Sequence, residues 1–138
     1  MGGVEHLRIG PDLAEVGPAA ERIRDLTTTA IGVEGGEAME LAFVEAVNNI
    51  ILHGHLSPGD RIGIALQTDD RGAVLTLEDR GRPIPPVALQ EADEPGDPLA
   101  ESSRGLWLIR ALMHDIGYES ADGLNRLTLT RRADTDRP

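Results

Sequence analysis

Hydrophobic and polar positions change period several times along the chain, and each change marks an element. Residues 4–9 alternate weakly and predict a short strand. Leu13, Val16, Ala20, Ile23 and Leu26 recur at helical spacing, which predicts an amphipathic helix over residues 12–30. Gly32, Gly35 and Gly36 read as its punctuation, and a second helix is predicted over residues 37–53. Ser57-Pro58-Gly59-Asp60 is a turn. Ile62, Ile64 and Leu66 recur at period two and predict a strand over residues 61–68. After a hairpin turn at Asp69-Asp70-Arg71-Gly72, the chain returns as a strand over residues 73–78, carrying Val74, Leu75 and Leu77. Residues 81–101 then lose all periodicity. They are rich in proline and hold Glu91, Asp93, Glu94, Asp97 and Glu101. An irregular stretch of that length inside a compact domain is usually a lid or disordered, and here a lid is expected over about residues 82–102. A third helix over residues 104–113 is apolar on most faces. Two last strands, over 116–119 and 125–130, flank a turn at Gly123.

The resulting order is β-α-α-β-β-loop-α-β-β. Consecutive hairpins need antiparallel pairing, and helices without regular βαβ alternation place the chain in the α+β class. The simplest solution is a two-layer α/β sandwich, a mixed, mostly antiparallel sheet of about five strands covered on one face by three helices. The 138 residues suit a single domain over 1–138, with 132–138 expected as a disordered tail. Phe43, Trp107 and Tyr118 are the only aromatics, so the core must be built from Leu, Ile, Val and Ala.

Composition narrows the function. The absence of cysteine excludes disulfides, thiolate metal sites and a Cys nucleophile, and suits a reducing cytoplasm. No stretch approaches the ~20 apolar residues of a membrane span, and the first residues carry no signal-peptide run. A formal charge of −11 argues against nucleic acid, whose binding is driven by cationic side chains meeting phosphates, and favours a protein partner. Any phosphate must be held by backbone N–H groups, a metal and a few local cations.

Three constellations carry candidate chemistry. Nine of the twelve residues from 41 to 52 are apolar and lie all round the helix, which predicts burial on most sides. Set into this run are Glu45, Asn48 and Asn49. A carboxylate there is costly unless paired, metal-linked or open to a cleft. Glu45 and Asn49 share one face, one turn apart. That pairing suits a hard cation such as Mg²⁺, with the carboxylate free to orient a hydroxyl or water. A polar patch satisfied by neighbouring backbone is the plainer reading. His53 and His55, without a third ligand nearby, read as capping or solvated residues. The second constellation is Glu78-Asp79-Arg80-Gly81-Arg82-Pro83. An Asp at a strand's end can accept from an exocyclic amine such as adenine N6, and a glycine lets a flat base approach the backbone. An ordinary Asp-x-Gly turn has the same sequence. The third is Glu101-Ser102-Ser103-Arg104-Gly105-Leu106, where free N–H groups at a helix start could hold an anion. A simple Ser N-cap at 102 or 103 fits equally.

In this order and spacing the three motifs resemble the ATP-binding GHKL (Bergerat-type) fold. Within it the chain is similar to the anti-sigma regulatory serine kinases, which phosphorylate a small STAS-domain anti-anti-sigma partner. The likeness rests on the segment from Glu45 to Gly54, on Asp79-Arg80-Gly81-Arg82-Pro83, and on the segment from Arg104 to Ile109. Leu112-Met113-His114-Asp115 and Asn125-Arg126-Leu127-Thr128-Leu129 add to it, and it spans about residues 7–131. The resemblance implies that Asn49 is the Mg²⁺ ligand and Glu45 the general base. It further implies Asp79 on the adenine amine, Gly81 against the base, and Ser103, Arg104, Gly105 and Leu106 at the phosphates of ATP or ADP. A sigma factor or similar target as second partner and a homodimer are likewise implied. There are departures. Pro83 stands where the family's Asp-x-Gly-x-Gly pattern has its second glycine, and Ser103 stands for the first glycine of the lid's Gly-x-Gly. The threonine that many relatives place near the adenine has no clear counterpart, with Asn125 and Thr128 available to stand in.

Two functions follow. One is an ATP-dependent serine kinase that also sequesters its target, favoured by Glu45. The other is a nucleotide-dependent binding switch with little phosphoryl transfer, favoured by Ser103 and the acidic lid. The ATPase part of a histidine kinase, gyrase or chaperone is the remoter expectation, because 138 residues leave no room for their further domains. An α+β interaction protein without nucleotide is the plainest.

Overall fold

A computed structural model describes residues 2–84 and 101–133, the second stretch with side chains from Leu106 onward. Strand β1 (Gly3–Ile9) leads through a 3-10 turn (Leu13–Glu15), opened by Asp12 accepting from Ala14 N, into helices α1 (Val16–Ile31) and α2 (Val33–His53). Strands β2 (Ile62–Asp69) and β3 (Gly72–Asp79) follow. Helix α3 (Glu101–Leu112) then precedes β4 (Asp115–Ala121) and β5 (Leu124–Arg132). Most of the expected lid, residues 85–100, lies outside the described residues, as do 134–138 of the expected tail. Arg132, the first residue of that tail, instead closes β5, its N–H donating to His114 Nδ1.

The five strands run in the order β1-β2-β3-β5-β4, and every pairing is antiparallel, so the sheet is not mixed. Alternation decides the two faces. Ile62, Ile64, Leu66, Leu75, Leu77, Leu127 and Leu129 point one way and are buried, each contributing on the order of 1.5–3 kcal/mol by leaving water. Val74, Thr76, Glu78 and Thr128 point the other way and are partly exposed, and Arg126 beside them is exposed, with Arg126 and Glu78 paired across the strands at 2.6 Å. The helices cover the apolar face alone. α1 lies over β2 and β3, and α2 packs against α1 on one side and α3 on the other. Phe43, Met39, Val47 and Ile23 fill the space between helix layer and sheet.

Turn chemistry sets the hairpins. The two-residue β4–β5 loop has positive φ at both Asp122 (54°) and Gly123 (80°), the conformation that matches the twist of the strands it joins. In the β2–β3 loop, Asp69 Oδ1 accepts from Arg71 N and Gly72 N at 2.8 and 3.1 Å.

The helix boundaries differ from expectation in two places. α2 begins at Val33, because Gly35 and Gly36 are helical and only Gly32, at φ 97°, breaks the chain. The two glycines serve packing instead. A Cβ on Gly36 would meet Thr28 Oγ1 and lie 2.9 Å from Arg24 O. One on Gly35 would lie 2.6 Å from Ile31 Cδ1. α1 and α2 therefore touch almost backbone to backbone. α3 begins at Glu101 rather than Arg104, one turn earlier. A carboxylate residue is at home in a first turn, beside the positive end of the helix dipole.

Gly36→Ala should therefore destabilise the domain by about 1–3 kcal/mol through overpacking, against a helix-propensity gain of about 1 kcal/mol. Gly17→Ala in α1, where a Cβ meets nothing within 4 Å, should be neutral or slightly stabilising. Thermal melts of the pair check this, and equal melting temperatures would contradict the close helix contact.

Candidate functional site

The second constellation folds into a cradle where β3 ends. Asp79 is the last residue of β3, and strand alternation turns it to the helix side, where it is 7% exposed. Its Oδ1 accepts from Gly81 N at 2.8 Å and from Asn125 Nδ2 at 3.0 Å. From the described residues its Oδ2 accepts nothing. Gly81 is held close to a second element. Arg82 N donates to Gly54 O at 2.6 Å, and a Cβ on Gly81 would lie 2.5 Å from the same oxygen and 2.8 Å from Leu56 Cδ2. Gly54 caps α2, its own N–H donating to Ile50 O at 2.8 Å. The end of α2 and the end of β3 are thus tied together, and only a glycine at 81 permits it.

Three more residues complete the cradle: Asn125, which the sequence offered as a stand-in for the family's threonine, and Ser120 and Tyr118, which it did not single out. Asn125 pairs directly opposite Asp79, and Ser120 directly opposite Asn125, so one row crosses β3, β5 and β4. Asn125 Nδ2 also donates to Gly81 O at 2.8 Å, and Ser120 Oγ donates to Asn125 Oδ1 at 2.7 Å. Tyr118 OH accepts from Ile84 N at 2.8 Å. Burial pushes the Tyr118 phenol above its ordinary range, Asp79's charge adds to this, and the Ile84 N–H opposes it. A signal for Asn125 was present: it occupies an inward position of the alternation Asn125, Leu127, Leu129. Thr128 is one residue out of that phase and faces the other side of the sheet.

The first constellation lies on α2, upstream of the cradle. Asn49 precedes Gly54 by five residues, about 7.5 Å along the axis, and Glu45 lies a further turn back. Both are half-buried. The helix is not enclosed on most sides as its composition suggested. Leu41 (41% exposed) and Leu52 (59%) lie on the same side as Glu45, Asn48 and Asn49, so this side faces away from the core. Two facing-side oxygen donors fall short of the six that Mg²⁺ takes. This matches a cation completed by water and substrate phosphates rather than by a protein cage. Among the described residues no group of three or more His, Cys, Asp and Glu is placed to hold a metal. His53 and His55 are exposed at and just beyond the helix end.

The third constellation is partly within view. Ser103 and Arg104 lie in the first turn of α3, whose four leading N–H groups, 101–104, have no partner within the helix. Ser103 is in helical backbone, so neither it nor Ser102 is a cap outside the helix. Gly105 follows, and Leu106 is a core residue, 4% exposed. Among the described residues, no helix is long and apolar enough to cross a membrane.

Comparison with known proteins agrees with this geometry. Residues 9–131 match the histidine kinase-like ATPase domain family. The serine/threonine-protein kinase BtrW of Bordetella bronchiseptica is 37% identical over 95 residues, covering 62% of this chain and 63% of that kinase. The chain therefore spans less than two thirds of this relative. In structure it is similar to the RsbU and RsbW domains of a Mycobacterium tuberculosis protein, with a TM-score of 0.66 at 19% identity. That match covers 99% of this chain and 33% of the other. The Acinetobacter baumannii histidine kinase AdeS shares the fold at a TM-score of 0.52 and 13% identity, over 95% of this chain and 68% of that one.

Gly81→Ala should cost about 1–3 kcal/mol, because the clash is with backbone that cannot turn aside. Denaturant unfolding measures it, and a parent-like midpoint would refute the close approach of α2 and β3.

Proposed function

Because the chain belongs to the histidine kinase-like ATPase domain family, we propose that it is an ATP-dependent serine protein kinase of the partner-switching kind. In this reading it phosphorylates a STAS-domain anti-anti-sigma protein and, unphosphorylated partner absent, sequesters a sigma factor or similar target in the cytoplasm, as a homodimer. The observation that carries it is the cradle: a buried Asp79 held through Oδ1 by Gly81 N and Asn125, beside a Gly81 flush against the end of the helix that bears Glu45 and Asn49. The likeness to BtrW, a serine/threonine-protein kinase by name, supports the activity, and the fold shared with RsbW domains agrees with it.

The residues divide the work. Asp79 Oδ2 accepts from the 6-amino group of the base, and Gly81 lets the ring lie against the backbone. The N–H groups opening α3, with Arg104 and Gly105, suit the phosphates. Asn49 would hold Mg²⁺, which neutralises phosphate charge when bound. The serine Oγ of the partner attacks the γ-phosphorus as the bond to ADP breaks, and Glu45 accepts the hydroxyl proton. Positioning and charge neutralisation are most of what phosphoryl transfer asks of a protein. A nucleotide-dependent switch without transfer is the second reading, favoured by Ser103 where the family's lid has glycine.

Two experiments test the proposal. Millimolar Mg-ATP should raise the melting temperature by several degrees, since a ligand at about a hundred times its Kd adds roughly 2.7 kcal/mol. Asp79→Asn should abolish the shift. The amide oxygen stays with Gly81 N and Asn125 Nδ2, so its NH₂ takes the place of Oδ2 and meets the base amine donor to donor. An unshifted parent would sink the nucleotide reading. The second is Glu45→Gln with labelled ATP and a STAS-domain protein. Transfer should fall about 10²–10⁴-fold while ATP binding changes little. A parent that binds both yet transfers nothing would establish the switch.

A further inference from the structure

We infer that the outward line of α2 leading to Glu45 selects the protein substrate: Val33 and Leu41 meet apolar side chains of the acceptor segment, and Glu37 meets a cation on it. The inference rests on the kinase reading above and adds the residues that recognise its second substrate.

Val33, Glu37, Leu41 and Glu45 follow one another at i, i+4 spacing, so each is the surface neighbour of the next. The line runs about 18 Å from the start of α2 to Glu45. α1 packs along one side of α2 and α3 along the other, and Met39, Phe43 and Val47 turn to the core. The line itself is open: Val33 is 63% exposed and Leu41 41%, and Glu37 between them is exposed. One exposed leucine would need no explanation. Here the distribution decides. Of the five large apolar side chains exposed among the described residues, α2 carries three, whereas α1 turns out Glu21, Arg22, Asp25 and Thr29. Leu52, one of the three, lies two residues before Gly54, on the half of the helix given to the nucleotide. Val33 and Leu41 lie on the other half, beyond Glu45.

The proposed reaction names the occupant. The serine hydroxyl must come within hydrogen-bond reach of Glu45, and the nucleotide base lies toward Gly54. The segment that brings the serine therefore covers Leu41, about 6 Å from Glu45 along the axis. Glu37 has no hydrogen bond or ion pair among the described residues. An unpaired acid between two apolar side chains, on a chain of net charge −11, favours a cation opposite it and disfavours a carboxylate. The acceptor segment is accordingly apolar and basic beside its serine.

The test is steady-state kinetics on the full chain with Mg-ATP and a STAS-domain protein as acceptor, each variant being checked for folding by circular dichroism. Leu41→Asp should raise KM for the acceptor by about tenfold, the factor that 1.4 kcal/mol corresponds to. Its kcat and its melting shift with Mg-ATP should stay at the parent's values. Glu37→Arg should raise the same KM by about threefold and flatten its dependence on salt, because a charge at the rim of a contact acts through the encounter. Should Leu41→Asp fail to fold, Val33→Asp gives the same KM reading, since an acid is at home at the first residue of a helix. An unchanged KM in the folded variants overturns the inference and spares the kinase reading. A KM that rises together with loss of the Mg-ATP shift also overturns it, because the line then serves the nucleotide or the fold. A parent that transfers no phosphate to the acceptor overturns the kinase reading and this inference together.

Discussion

One contact organises the molecule: the carbonyl of Gly54 receives Arg82 N at 2.6 Å, at a point where Gly81 has no side chain to hold it off. Through it the last turn of α2 is joined to the residues leaving β3. The two segments are remote in sequence, and each carries half of the candidate chemistry. α2 brings Glu45 and Asn49, and β3 brings Asp79. Without the contact these would be a polar helix face and an ordinary strand end. Asn125 reinforces the joint from the sheet side, since it holds both Asp79 and the carbonyl of Gly81.

The same arrangement answers a problem of charge. A chain with a net charge of −11 repels an anionic ligand at long range, and its field cannot raise the encounter rate. Recognition must therefore be short-ranged. In the proposed function it relies on backbone N–H groups at a helix start and on a carboxylate that reads the uncharged end of the ligand. Among the described residues Asp79 has no cationic partner; its Oδ1 accepts from the N–H groups of Gly81 and Asn125.

Most elements were legible in the sequence because their periods are clean. Ile62, Ile64, Leu66 and the pair Leu75, Leu77 announced the central strands, and Leu13 to Leu26 announced α1. The failures have physical causes. Gly35 and Gly36 looked like breakers, since a glycine needed for close packing and one needed for a turn are the same letter. The openness of α2 beside Glu45 was hidden because Leu41 and Leu52 are apolar yet exposed. The start of α3 was misplaced, as Glu101, Ser102 and Ser103 carry no hydrophobic period. At the candidate site, the motif singled out Asp79 and Gly81, and spacing singled out Glu45 with Asn49. Ser120 and Tyr118 were not found, because only the pairing of β4 with β5 sets them in the row and at the loop.

That row gives the site a second character. Ser120, Asn125 and Asp79 meet only if three strands align to the residue, and a shift of β5 by one would offer Leu124 or Arg126 to Asp79. The tight Asp122-Gly123 turn admits one alignment of β4 on β5. Misaligned molecules would thus lose the candidate cradle along with their core, so a chain that has folded wrongly also lacks the candidate site.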